Sequence, residues 1–234
     1  GANITGLING GAGNDTLNFA TFTSALDIKL TALGDVDGFN GTRGTSPATF
    51  ANINSIVGGT AADKITGLGA GATWNINPTP TPNTYVSTNT LTFLAFENLN
   101  GGSGADTFVF NGNASVNGSV DGGAGSDTLN YSNYTSAVTV NFPAQTASGV
   151  SGTVKNFENV ISNTMGLTLT GDENDNIIVG SAGNDTLRGM GGDDTLIGLG
   201  GDDAVVGMAL DDARERLLVI APLPDRNHHA LGKR

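Results

Sequence analysis

From Gly171 the chain reads GDENDNIIV (171–179), GSAGNDTLR (180–188), GMGGDDTLI (189–197) and GLGGDDAVV (198–206), four consecutive units of one nonamer. A fifth unit, GMALDDARE (207–215), starts in register and then decays. Position six holds Asn176, Asp185, Asp194, Asp203 and Asp212; position eight holds Ile178, Leu187, Leu196, Val205 and then Arg214, where the pattern fails. In each unit a small or polar stretch precedes a short stretch of strand type. Glycine supplies the positive φ of a tight turn, and Asp and Asn support turns by bonding nearby backbone. A short strand points its eighth residue to one face and its seventh and ninth to the other. Two units therefore make one coil of about 18 residues, turn–strand–turn–strand. Stacked coils form parallel sheets on two sides, with the eighth positions packed between them. The predicted class is all-β, a parallel β-roll or β-helix solenoid with Gly/Asp-rich turns.

Working outward, single copies of the nonamer occur as GGAGNDTLN (10–18), GGSGADTFV (101–109) and GGAGSDTLN (122–130), with a weaker one, GGTAADKIT, at 58–66. Around two of them a longer repeat, 10–30 against 122–142, ends in alternating apolar residues: Leu26, Ile28, Leu30 and Val138, Val140, Phe142. That alternation predicts strands. A second phrase, Phe-x-Asn-aliphatic, recurs at Phe50 to Ile53, Phe96 to Leu99 and Phe157 to Val160. The expected organisation is an irregular β-solenoid over 1–170, a tandem roll over 171–212, and an atypical tail over 213–234. The tail is a cap, the start of another domain, or a segment foreign to the repeats. Solenoids need capped ends, which lends support to the first without ranking the three.

The composition agrees with a turn-rich chain: Gly is 36 of 234 residues and charged residues are 14%, against a usual share of about 25%. No Cys is present, which excludes disulfide frameworks and thiol catalysis. No apolar run approaches a membrane span of about 18 residues, so membrane insertion is not expected. Residues 1–212 carry 5 basic and 20 acidic side chains. Such a body argues against nucleic acid, whose phosphates need Lys and Arg, and favours cations. Asp outnumbers Glu 18 to 4. Asp suits tight turns and is a short, hard-oxygen ligand. The opening Gly1-Ala2-Asn3 reads as part of a longer polypeptide.

Adjacent coils sit about 4.8 Å apart, and Ca²⁺ binds oxygen at about 2.3–2.6 Å. An ion between two stacked turns is thus in reach of both. Alternate turns lie on opposite edges, so stacked partners are two units apart: Asn176 with Asp194, Asp185 with Asp203, and Asp194 with Asp212. Asp175 joins the first turn, and carbonyls of Gly180, Gly183, Gly189, Gly191, Gly198 and Gly200 complete the oxygens. Gly101 and Gly122 are separated by slightly more than one coil. Phe108-Val109-Phe110 and Ala114-Ser115-Val116 are the expected strands between them, and Asp106 and Asp127 are candidates to share a calcium. Asp15 enters the candidate set through its nonamer, although it and Asp63 lack a partner at coil spacing and also read as structural turns. Facing carboxylates about 5 Å apart repel by roughly 1–3 kcal/mol per pair, so metal binding becomes folding free energy.

These nonamers resemble the repeats-in-toxin (RTX, hemolysin-type) calcium-binding repeat, G-G-x-G-x-D-x-U-x, in tandem over 171–206 and singly over 10–130. The resemblance implies a parallel β-roll with Ca²⁺ in its turns, secretion from a bacterial cell, and folding outside it at extracellular calcium. Asn176 in place of Asp, Ser181, Met190 and Leu199 in place of the second glycine, and the incomplete fifth unit reduce the tandem block to one or two full sites.

Other features read more plainly. Asp35-Val36-Asp37-Gly38-Phe39-Asn40 lacks the distal Glu of a helix-flanked calcium loop and reads as an Asp/Gly loop. The Thr-x-Thr pairs fall at irregular intervals, so a flat threonine lattice for ice binding is not expected. Asn77 to Asn83, with three prolines, reads as a loop leaving the stack. His228 and His229 belong to the tail. For catalysis, the body offers no His or Cys, and its paired acids, Asp193-Asp194 and Asp202-Asp203, are in phase with the turns. The expected function is therefore non-catalytic. The leading reading is a calcium-stabilised structural segment of a large secreted or cell-surface protein of adhesin, surface-layer or exoprotein type. Cell-surface polysaccharide or neighbouring copies are its further candidate partners. The alternative is a calcium-binding accessory domain of a secreted carbohydrate-active enzyme or protease, and a glycan- or ice-binding module ranks below both.

Overall fold

A nonamer has room for only a very short strand after its turn, and the computed structural model has that form. It describes residues 6–44 and 49–206; the fifth nonamer with Asp212, and the tail, lie outside the described residues. Every described element is a strand, gathered into sheets of eight, ten and five strands. In the tandem block Ile178 pairs with Leu196, Leu169 with Leu187, and Leu187 with Val205, each a parallel step of two units. Ile178, Leu187 and Leu196 are fully buried, whereas the seventh-position Ile177 is 49% exposed. The two-unit coil and its inward eighth position follow from the nonamer period.

The first half builds the same two walls from longer coils. Leu99 pairs with Val120 and Phe108 with Leu129, the slightly longer step set by Gly101 and Gly122. The expected strand at Ala114-Ser115-Val116 does not form; Val120–Gly123 takes that place, and Val116 makes only an isolated bridge to Val150, outside the sheets. Gly112, at φ 56°, turns the chain just before it, and Asn117-Gly118 interrupts it just after. Both Ala114 and Val116 still fill the core.

A more consequential departure is that successive strands there do not occupy successive layers. From Thr16–Asn18, first in the ten-stranded sheet, the chain passes to Asp27–Leu33, fourth in the eight-stranded sheet. Phe39–Arg43 and Thr49–Ile53 then return antiparallel to fill the third and second places. The manoeuvre is repeated on the other wall, where Thr73–Ile76 is fifth and Asn83–Val86 and Thr90–Leu94 return to fourth and third. The proline-bearing loop 77–82 is the turn of that return. Layers laid down out of order interlock the amino-terminal part of the chain.

Threonines that begin the strands of successive coils line up across the sheets. Thr73, Thr107 and Thr128 stack in one sheet and Thr139, Thr168 and Thr186 in another.

All the aromatic residues lie at or before Phe157. Trp74 stacks on Phe108 at 5.2 Å and meets Tyr85 and Phe93 edge-on at 4.7 and 5.7 Å. Phe108 meets Phe157, and Phe110 stacks on Tyr131 at 4.9 Å. Such pairs add about 0.5–1.5 kcal/mol each beyond the area they bury. Trp74→Ala is therefore expected to cost about 3–5 kcal/mol, measured by urea unfolding in saturating calcium, while the outward Ile161→Ala changes stability little.

Candidate metal centre

Position six is where one coil grips the next. Asp127 accepts the N–H of Asp106 at 2.7 Å, Asp194 that of Asn176 at 3.0 Å, and Asp203 that of Asp185 at 3.0 Å, in each case through Oδ1. Asp185, Asp106 and Asp63 take the N–H groups of Leu167, Ala72 and Leu26 in the same way. Every predicted pair within the described residues is thus brought together at coil spacing; the pair that includes Asp212 lies outside them. They meet by carboxylate on peptide N–H, not by carboxylate on carboxylate. A hydrogen bond to a charged group is worth about 1.5–3 kcal/mol, which offsets part of the repulsion. Asp175 forms an outer rung that runs the other way, accepting the N–H of Asp193 at 2.8 Å.

Sequence reasoning missed two members of these columns. Asn98 pairs with Lys64, and Asn159 with Thr128 and Ile177, so Glu97 and Glu158 occupy position six. Glu97 accepts the N–H of Asp63 at 2.8 Å and Glu158 that of Asp127 at 2.7 Å. Each follows a short turn with a left-handed residue, Ala95 (φ 55°) or Asn156 (φ 54°); the longer Glu side chain reaches across from this tighter turn. Their signal is the Phe-Glu-Asn-aliphatic phrase. Its supposed copy at Phe50 is out of register: the left-handed residue is Asn52, Ile53 stands in the place of Phe96, and Asn54 in that of Glu97. Asn54 Oδ1 accepts the N–H of Asp15 at 3.1 Å, so Asp15 has a stacked partner after all, and it is neutral.

The glycines of the turn divide into two kinds. Gly11, Gly13, Gly102, Gly123, Gly125, Gly192 and Gly201, at positions two and four, have positive φ. Met190 and Leu199 hold the same left-handed region without being glycine, at 85° and 72°. Position-one glycines are required by a neighbour instead. A Cβ on Gly101 would lie 2.6 Å from Asp106 Oδ2, one on Gly122 2.6 Å from Asp127 Oδ2, and one on Gly180 2.5 Å from Asp185 Oδ2. Gly171, Gly189 and Gly198 are blocked likewise by Asn176, Asp194 and Asp203. Along the stack axis the carbonyl of Gly198 lies over Gly180, that of Gly189 over Gly171, and that of Gly183 over Gly201. Gly191 and Gly200 donate their N–H groups to the carbonyls of Asp172 and Ser181.

Among the described residues no three side chains of His, Cys, Asp or Glu converge on one point. A cation here would be held by one or two carboxylates and by peptide carbonyls, which is a hard-oxygen set suited to calcium. The fit is supported by spare acceptors: Asp106 and Asp127 are fully buried, and the Oδ2 atom of Asp127 makes no hydrogen bond. Beyond its bond from the Ala72 N–H, the Asp106 carboxylate has beside it only the Trp74 indole N–H, in poor hydrogen-bond geometry. Burial pushes the Asp106 carboxyl up to about 7, against the opposing pull of the Ala72 N–H and with the charge of Asp127 adding to the rise. Asp127 is raised to about 6, again mainly by burial, with the Asp106 N–H opposing and Glu158 and Asp121 adding. Asp185 is raised by burial, and the charge of Asp203 adds to it. Buried acids that resist ionisation are what a divalent cation would neutralise.

Residues 170–205 match the RTX calcium-binding nonapeptide repeat, in four copies. Residues 4–121, just over half of the chain, match the peptidase M10 serralysin C-terminal family. No curated protein matches the chain.

Two outcomes follow for the turns. Gly180→Ala, which collides with Asp185, is expected to lose about 1–3 kcal/mol of stability. Gly200→Ala, whose new methyl finds nothing closer than 3.5 Å, is expected to be near neutral in the same calorimetric melt. In chelator, Asp106 and Asp127 bind protons more tightly folded than unfolded, so their contribution to stability falls as pH rises from about 4 to 7. Asp106→Asn should flatten that slope in melting temperatures taken across the range.

Proposed function

Because this chain belongs to the peptidase M10 serralysin C-terminal family and carries tandem RTX repeats, we propose that it is the calcium-stabilised, non-catalytic part of a larger secreted or cell-surface protein. The chain is a calcium-binding structural segment, and its repeats are calcium-binding repeats. The observation that supports the finer reading is the stacking of position-six acids at coil spacing, together with the buried and spare Oδ2 atoms of Asp106 and Asp127. Asp106 with Asp127, Asp185 with Asp203, and Asn176 with Asp194 would hold the ions, with carbonyls of the intervening glycine turns. Calcium supplies the positive charge between coils; the chain supplies the spacing, the buried acids and the exclusion of water.

Folding outside the cell follows from this chemistry. At low cytosolic calcium the acidic coils repel, and at millimolar extracellular calcium they close. Of the candidate parents, attachment to a secreted peptidase is favoured by the match over residues 4–121. An adhesin or surface-layer parent rests on the repeat architecture alone.

Calorimetric titration of the full chain, started in chelator and followed by far-UV circular dichroism, is expected to show calcium uptake with a gain of strand signal at about 0.1–1 mM. Asp185→Asn combined with Asp203→Asn should reduce the stoichiometry, and so should Asp127→Asn. Absence of heat and of any spectral change would remove the calcium role and leave a likeness of architecture alone.

A further inference from the structure

We infer that residues 6–161 form a base that keeps its fold without calcium, an ion at Asp106 and Asp127 adding only to its stability, and that calcium decides folding for the tandem coils stacked on its end alone. Calcium then sets the length of the roll, not the existence of the fold. The gated half of this inference rests on the calcium reading above; the base does not.

The two parts are built from different materials. The base holds every aromatic ring of the chain, linked in contact from Phe39 through Tyr85, Trp74 and Phe108 to Phe157. Its antiparallel returns interlock layers that are far apart in sequence. Beside its acidic brackets, several of its coil edges are stapled by neutral groups. Asn111 donates to Asn77 at 3.0 Å and Asn133 to Asn111 at 2.9 Å, and Asn54 receives the N–H of Asp15. Residues 6–161 carry ten acids and four bases.

By contrast, the much shorter stretch 171–206 carries eight acids and one base, Arg188. Each two-unit coil there buries only two inward aliphatic side chains, Ile178 with Leu187 and then Leu196 with Val205. The coils have no aromatic ring of their own and run in simple sequence, each contacting its neighbours. Such a stack is a nearest-neighbour array in which terminal units open independently of the rest.

The composition makes the two parts separately visible in the intact chain. Trp74 is the single Trp, and no aromatic residue follows Phe157, so indole emission and near-ultraviolet dichroism report the base alone. Arg188 is the one tryptic site between Gly171 and Val206. In EGTA, Trp74 is expected to keep the blue-shifted emission of a buried indole, while trypsin cleaves after Arg188 about tenfold or more faster than in calcium. The Asp185→Asn, Asp203→Asn double variant should be cut at Arg188 even in calcium, with the same Trp74 emission as the parent.

A red shift of Trp74 in EGTA, with the same calcium midpoint as cleavage at Arg188, would overturn the independent base while leaving the calcium reading intact. An Arg188 site equally protected in EGTA and in calcium would overturn the gated half. Calorimetry on the same samples then tells whether calcium binding itself has failed.

Discussion

The structure depends on one recurring bracket: a position-six side chain that accepts the backbone N–H of the coil before it. A solenoid has no tertiary contacts beyond adjacent layers, so its turns must be held layer to layer or they splay. Here the holding group is in most coils an acid, buried at Asp63, Asp106, Asp127, Asp185 and Asp194, which makes the bracket strong and also electrically costly. The cost is visible in the raised carboxyls of Asp106, Asp127 and Asp185. It also explains why glycine stands at position one. That glycine leaves the space the acid occupies, so the first and sixth residues of each nonamer are a single steric unit.

How much of this is legible in the sequence depends on whether the information is periodic. The tandem coils can be read fully, because the nonamer period fixes turn, strand, inward residue and two-unit pairing at once. Asp106 and Asp127 are within reach for the same reason, since their spacing is close to one coil. Glu97 and Glu158 are not, because they reach position six from a shorter turn, and a motif keyed to Gly and Asp is blind to that. Asp15 reads as unpartnered because its partner, Asn54, lies far along the chain, across an antiparallel return. The layer skips themselves have no sequence period: an inserted strand looks the same whether it lies forward or back along the stack.

Family membership and geometry therefore bear on different questions. The nonamer match marks residues 170–205 as RTX calcium-binding repeats, while the out-of-order layers of the first half concern how the molecule is held where nonamers are sparse. The outward aliphatic ladder Ile161–Val179–Ile197, exposed at Ile161 and half-buried at the other two, and the acidic turn edges belong to the regular end of the roll. The aromatic rings belong to the interlocked end.

The interlocking also fixes how the protein carries load. Tension applied through the carboxyl end can strip the tandem coils one at a time, each releasing two nonamers, or about 6 nm of contour at roughly 3.4 Å per residue. At the interlocked end no layer can leave in chain order, since the strand after Thr16–Asn18 lies beyond layers that later residues fill. That block must rupture as a unit. The chain is thus a graded tether, with an extensible end and an inextensible one, and the two are joined by a single continuous ten-stranded sheet.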